Sequence, residues 1–145
     1  MKEQTVRAAK GEELVIEAEK ENLDRVTAFV YSRLETACCP PKAKMQIGVA
    51  VEEIFVNIAS YAYAPGKGYA AVRVELSDHP VTATITFIDH GTPYDPLLRE
   101  DPDVTLPVDA REIGGLGIFL TKKLMDDVQY AYRDGRNILT LKKKL

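Results

Sequence analysis

The chain has 145 residues, of which 46% are hydrophobic, a size and composition that predict one domain around a single core with little room for a second. Its net charge is −3, and the only dense basic run is Lys142-Lys143-Lys144, so broad contact with a nucleic-acid backbone is excluded. No apolar stretch reaches membrane-spanning length and Met1-Lys2-Glu3-Gln4 lacks the apolar segment of a signal peptide, which leads to the expectation of a cytoplasmic protein with no membrane partner.

In chain order, Leu14, Val15 and Ile16 form a short β-type run. Asn22 then caps a helical pattern in which Val26, Phe29, Val30 and Leu34 share one side. Cys38-Cys39-Pro40-Pro41 ends that helix, and Pro41 suits the first turn of the next. The two cysteines are adjacent, which disfavours an ordinary disulfide and metal-ligand spacing alike, and reads as buried or idle thiols in a reducing compartment. The second helix runs from about Lys42 to Tyr63 and stops at Pro65-Gly66-Lys67-Gly68.

Two strands follow. Val72, Val74 and Leu76 alternate with polar neighbours, and beyond the Ser77-Asp78-His79-Pro80 turn Val81, Ala83, Ile85 and Phe87 alternate with threonines. From Thr92 to Ile113 no period is visible and prolines recur among acidic residues, the mark of a lid, a binding loop or disorder. A helix face of Leu120, Leu124 and Val128 comes next, then two strands joined by the Asp134-Gly135 hairpin signal. The order predicts an α+β, two-layer sandwich with helices on one face of a mainly antiparallel, mixed sheet.

Three groups of residues carry candidate chemistry. Glu53 and Asn57 stand four apart, so they stack on one side of a helix that is apolar on nearly every side. Polar groups set among apolar neighbours need a ligand, a metal or a hydrogen-bonded core network. Glu52, one position away, faces solvent. Asp89 keeps the parity of Ile85 and Phe87 and is therefore expected to be largely buried. Its partner is either the N–H of a ligand such as adenine's exocyclic amine, or its own turn amides. Gly91 would let a flat ligand approach the backbone. The third group is Gly114-Gly115-Leu116-Gly117-Ile118, three glycines within four residues opening a helix. Backbone amides can crowd around a phosphate there, helped by the helix dipole, although such clusters also serve as plain turns or caps. The run matches neither the P-loop nor the G-x-G-x-x-G fingerprint.

Glu53-Ile54-Phe55-Val56-Asn57, then Asp89-His90-Gly91-Thr92-Pro93-Tyr94-Asp95-Pro96, then Gly114-Gly115-Leu116-Gly117-Ile118-Phe119-Leu120 with Met125-Asp126-Asp127-Val128 beyond, resemble the boxes of one ATPase superfamily in their order. That superfamily includes gyrase, heat-shock chaperones, sensor histidine kinases and mismatch-repair ATPases, and it has the Bergerat fold. The resemblance covers nearly the whole chain and is greatest to the bacterial anti-sigma-factor serine/threonine kinases.

The resemblance implies ATP and Mg²⁺ as cofactors, Glu53 as general base, Asn57 as the Mg²⁺ ligand and Asp89 as the adenine contact. Gly91 and Pro93 would lie beside the base. Gly114, Gly115, Leu116, Gly117, Ile118 and a lid at about 92–113 would take the phosphates. Thr140 is either a water-mediated adenine contact, as a hydroxyl is in similar ATPases, or an ordinary strand threonine. The implied activity is phosphorylation of a serine or threonine on a STAS-type anti-anti-sigma partner, with a sigma factor as a further partner and a homodimer as the assembly. The alternative is a nucleotide-gated interaction module without useful phosphotransfer. Tyr61 stands where many such kinases carry a histidine, and Pro93 replaces the second glycine of the D-x-G-x-G pattern of sensor kinases. His79 and His90 read as a turn residue and an exposed neighbour of Asp89, and Arg111 and Lys123 as solvated charges or phosphate neutralisers.

Overall fold

Alternating apolar residues along the strands give the sheet one face that must be covered, and three helices cover it. The computed structural model describes residues 4–8, 11–98 and 116–145. In chain order the elements are β1 (Gln4–Ala8), β2 (Gly11–Glu17), α1 (Leu23–Glu35), α2 (Pro41–Tyr61), β3 (Tyr69–Ser77), β4 (Thr82–Asp89), α3 (Leu116–Leu124), β5 (Asp127–Arg133) and β6 (Arg136–Lys144). The six strands lie in the order β1-β2-β3-β4-β6-β5.

Each neighbouring pair is antiparallel. The α+β sandwich expected from the sequence is therefore present, but no parallel pair makes the sheet mixed among the described residues. β1 was not foreseen, because Gln4-Thr5-Val6-Arg7-Ala8 has little apolar alternation; pairing with β2 recruits it through the backbone. The hairpin between β5 and β6 turns on Asp134 and Gly135, whose φ values of 54° and 75° are the left-handed pair that such a two-residue loop needs.

Rows of side chains run straight across the sheet. Val72, Phe87 and Leu139 sit abreast, as do Val74, Ile85 and Leu141, and all six are buried. Onto this face α1 sets Val26, Val30 and Leu34, a spacing of one turn each. Burying one such side chain contributes roughly 1.5–3 kcal/mol. The central helix α2 packs against both other helices as well as β4 and β6, which explains why its sequence is apolar nearly all round.

Helix boundaries follow local chemistry. Pro41 opens α2 at a position where a missing N–H costs nothing. Asn22 occupies the cap position of α1, yet its Nδ2 donates to the Glu17 carbonyl at 2.9 Å and ties the helix start to β2 instead of capping it. The face of α3 also differs from expectation. Ile118, Thr121 and Met125 are buried while Leu120 is exposed, and Val128 belongs to β5. Local periodicity over so short a helix could not choose between the two faces. The Met125-Asp126 junction is structural: Met125 plugs the core, the Asp126 amide donates to the Lys142 carbonyl at 2.9 Å, and the Asp126 carboxylate accepts the Lys144 amide at 2.6 Å.

Candidate functional site

Register places Asp89 beside Asn137 of β6 and Ala70 of β3, on the same face as Phe87 and Leu139. An apolar column thus ends in a buried polar pair, with Asp89 5% and Asn137 7% exposed. Buried polar groups require partners, and these are present. Asp89 Oδ1 accepts the Gly91 amide at 2.9 Å and Asn137 Nδ2 at 2.9 Å. The turn-amide reading of Asp89 therefore holds for one oxygen. Oδ2 makes no hydrogen bond among the described residues, and Asp89 lines a cavity of about 520 Å³.

The chain after β4 is fastened from three directions. The Tyr63 hydroxyl accepts the His90 amide at 2.8 Å and donates to the Tyr69 carbonyl at 2.5 Å. Burial raises the Tyr63 pKa, with the Asp89 charge adding to the rise against the His90 amide, so this hydroxyl stays a neutral donor. The Thr92 amide donates to the Ala62 carbonyl just past the end of α2 at 2.9 Å. Gly91 is what allows that approach: a β-carbon there would run into the Ala62 carbonyl group. On that side of Gly91 the backbone meets Ala62, the residue that caps the end of α2.

Third, Asn137 Nδ2 reaches the Thr92 carbonyl at 3.0 Å while its Oδ1 accepts the Tyr94 amide at 3.1 Å. Pro96 is buried, and the Asp95 carboxylate accepts the Leu97 amide at 2.8 Å. The opening residues of the expected lid, 92–98, thus form a docked strap against β5 and β6; residues 99–113 lie outside the described residues.

The cavity is bounded by α2 on one side and by this strap on the other. Ile54, Asn57, Ile58 and Tyr61 of α2 line it, with Pro93 and Tyr94 of the strap and Ile118 of α3. Asn57 and Glu53 make no side-chain hydrogen bond among the described residues. Glu53 sits one turn back from Asn57 at the α2–α3 contact, packed against Gly117 so closely that a β-carbon on Gly117 would strike its Oε2. It does not itself line the cavity. Among the described residues no three carboxylate, histidine or cysteine side chains converge on a metal position. Mg²⁺ fits this set through the Asn57 amide oxygen, since that ion keeps waters and leans on phosphate oxygens.

A family profile for the histidine kinase-like ATPase domain matches residues 16–143. The chain belongs to that family. Serine/threonine-protein kinase BtrW of Bordetella bronchiseptica is 30% identical over 100 residues, covering 69% of this chain and 70% of its own length. Serine-protein kinase RsbW of Listeria monocytogenes is 31% identical over 98 residues, covering 65% of this chain and 62% of its own. RsbW of Bacillus cereus is 28% identical over 120 residues, covering 80% and 68%. The chain thus spans about two thirds of the length of these relatives.

Within this ATPase domain the cavity gathers Asn57, Asp89, Pro93 and Ile118, while Gly91 packs on Ala62 and Gly117 on Glu53. Leu116 begins α3; Gly114, Gly115 and Arg111 lie outside the described residues. Thr140 is not brought in. It pairs with Thr86 and Gln129 on the face away from the helices, whereas Asn137 and Leu139 of the same strand line the cavity. The signal was parity: Asn137 alternates with Leu139 and Leu141, while Thr140 falls between those two leucines.

Asn137 and Tyr130 are cavity residues that sequence reasoning did not single out, whereas the strap is the opening of the expected lid. Lys123 lies over the Phe119 ring with its Nζ 5.4 Å from the centroid, and His79 sits in the β3–β4 turn with φ 63°. His90, Cys38 and Tyr61 are exposed, and no helix among the described residues is long and apolar enough to cross a membrane.

Proposed function

We propose that the protein is a Mg²⁺-ATP-dependent serine/threonine kinase that phosphorylates a STAS-type anti-anti-sigma partner and sequesters a sigma factor. The observation that carries the reading is the cavity between α2, β4 and α3, lined by Asn57 and Asp89, where the Asn57 amide and one Asp89 oxygen make no hydrogen bond among the described residues. Family membership and relatives named as serine or serine/threonine kinases support the same activity.

In this reading Asp89 Oδ2 accepts an N–H of the adenine amine, and the apolar walls of Ile54, Ile58 and Ile118 cover the base and ribose. Mg²⁺ supplies charge neutralisation at the phosphates. The serine or threonine oxygen of the partner attacks the γ-phosphorus, the bond to the β–γ bridging oxygen breaks, and ADP leaves. Glu53 accepts the hydroxyl proton. The first turn of α3 offers amides at Gly117 and Ile118 to the phosphates.

A second reading draws on the position of Glu53, which packs on Gly117 outside the cavity lining. A carboxylate held there suits a nucleotide-gated interaction module, in which occupancy shifts α3 without phosphotransfer. Incubation with labelled ATP and candidate STAS proteins separates the two. Label on a serine or threonine of the partner is the expected result; nucleotide binding without any transfer would move the assignment to the interaction module.

A further inference from the structure

We propose that Asn137 is the positioning residue for base recognition, so that selection for the adenine amine depends on β6 as well as on Asp89. The inference rests on the nucleotide reading above and concerns the same cavity.

The amide of Asn137 is fully used. Its Nδ2 donates to Asp89 Oδ1 at 2.9 Å and to the Thr92 carbonyl at 3.0 Å, with the Gly91 carbonyl at 3.4 Å as a further acceptor. Its Oδ1 accepts the Tyr94 amide at 3.1 Å and the Tyr130 hydroxyl. A backbone amide can only donate, so the Tyr94 N–H determines which end of the Asn137 side chain is oxygen and aims the nitrogen at Asp89.

Together with the Gly91 amide, Asn137 puts two donors on Asp89 Oδ1. The carboxylate plane is thereby held, and Oδ2, without a hydrogen bond among the described residues, is the oxygen offered to a ligand. No other side chain of similar size performs both tasks. Aspartate would bring a second carboxylate against Asp89 and no donor, and leucine would leave acceptors and donors unmet inside the core. Tyr130, on β5, belongs to the same arrangement, because its hydroxyl holds the amide from the far side while the residue lines the cavity.

Selection for the amine then has a definite origin. With Oδ1 occupied, Asp89 has one oxygen to offer a purine ligand, and the ligand must bring an N–H to it. ATP does so. Purine riboside 5′-triphosphate, which carries hydrogen in place of the amine, does not.

The test is titration calorimetry of ATP and of purine riboside 5′-triphosphate, with Mg²⁺, on wild type, Asn137→Asp and Tyr130→Phe. Wild type is expected to prefer ATP by about ten- to hundredfold, the worth of one hydrogen bond to a charged acceptor. Asn137→Asp should shrink that preference to within about threefold while binding purine riboside triphosphate nearly as wild type does, and Tyr130→Phe should fall between. Equal weakening of both ligands, or an undiminished preference, would show Asn137 to be structural only and overturn the proposal. Should Asn137→Asp not fold, Tyr130→Phe decides alone, an unchanged ratio counting against the inference. Wild type that binds neither ligand overturns the nucleotide reading itself, and the inference with it.

Discussion

Gly117 at the start of α3 lies flush against the Glu53 carboxylate of α2, with no space for a β-carbon between them. The contact joins a glycine expected to serve phosphate binding to the residue proposed as general base. It also gives the third glycine of the run a part in seating the Glu53 side chain, apart from any role of its amide.

Gly117→Ala is expected to fold, because the colliding atom is the far end of a flexible side chain and alanine is favoured over glycine in a helix by about 1 kcal/mol. The melting temperature should stay within about 4 °C of wild type. Phosphotransfer should fall about 10–10²-fold as Glu53 is pushed from its place. Wild-type turnover in this variant would show that Gly117 does not set the position of the base.

Glu53→Ala and Asn57→Ala should part company. The first is expected to bind Mg²⁺-ATP normally and lose roughly 10²–10⁴-fold in phosphotransfer, as for removal of a general base. The second should lose the Mg²⁺ dependence of ATP binding, measured with and without a chelator. If Glu53→Ala phosphorylates a STAS protein at the wild-type rate, the kinase mechanism fails at that residue.

Asp89→Asn replaces an acceptor oxygen with a donor beside Asn137. ATP affinity, read by calorimetry, should weaken by on the order of 1–3 kcal/mol, because the amide oxygen keeps the Gly91 and Asn137 donors and the amide nitrogen takes the ligand-facing place. Unchanged affinity would remove Asp89 from the site.

At Gly91 the obstacle is backbone. A β-carbon would meet the Ala62 carbonyl group, which a side-chain rotation cannot relieve. Gly91→Ala should therefore cost about 1–3 kcal/mol in urea unfolding. A midpoint equal to wild type would mean that the α2 terminus can withdraw without loss.

Thr140→Val serves as the contrasting case, since Thr140 lies on the face opposite the cavity. ATP affinity should remain within about 0.5 kcal/mol of wild type. A larger loss by calorimetry would place a ligand contact on β6 where parity does not allow one.

Local patterns settled a good deal without coordinates. Four-residue spacing stacked Glu53 on Asn57, strand parity turned Asp89 inward, and Asp134-Gly135 marked the hairpin. These follow from the periods of helix and strand and from backbone preferences, which act over a few residues. Three glycine- and carboxylate-bearing boxes in order also carried the family, later matched over residues 16–143.

Tertiary structure alone decided the rest. That β6 lies between β4 and β5 brings Asn137 to Asp89, 48 positions away in the chain. The same order docks the 92–98 strap on Asn137 and Tyr130 and puts the end of α2 against Gly91. It also brings Gly117 to Glu53, whose meeting depends on how α2 and α3 pack over the sheet. Periodicity tells each residue which face it occupies. Which residues then meet is determined by strand order and helix packing, because hydrogen bonding and close contact act through space and are indifferent to separation along the chain.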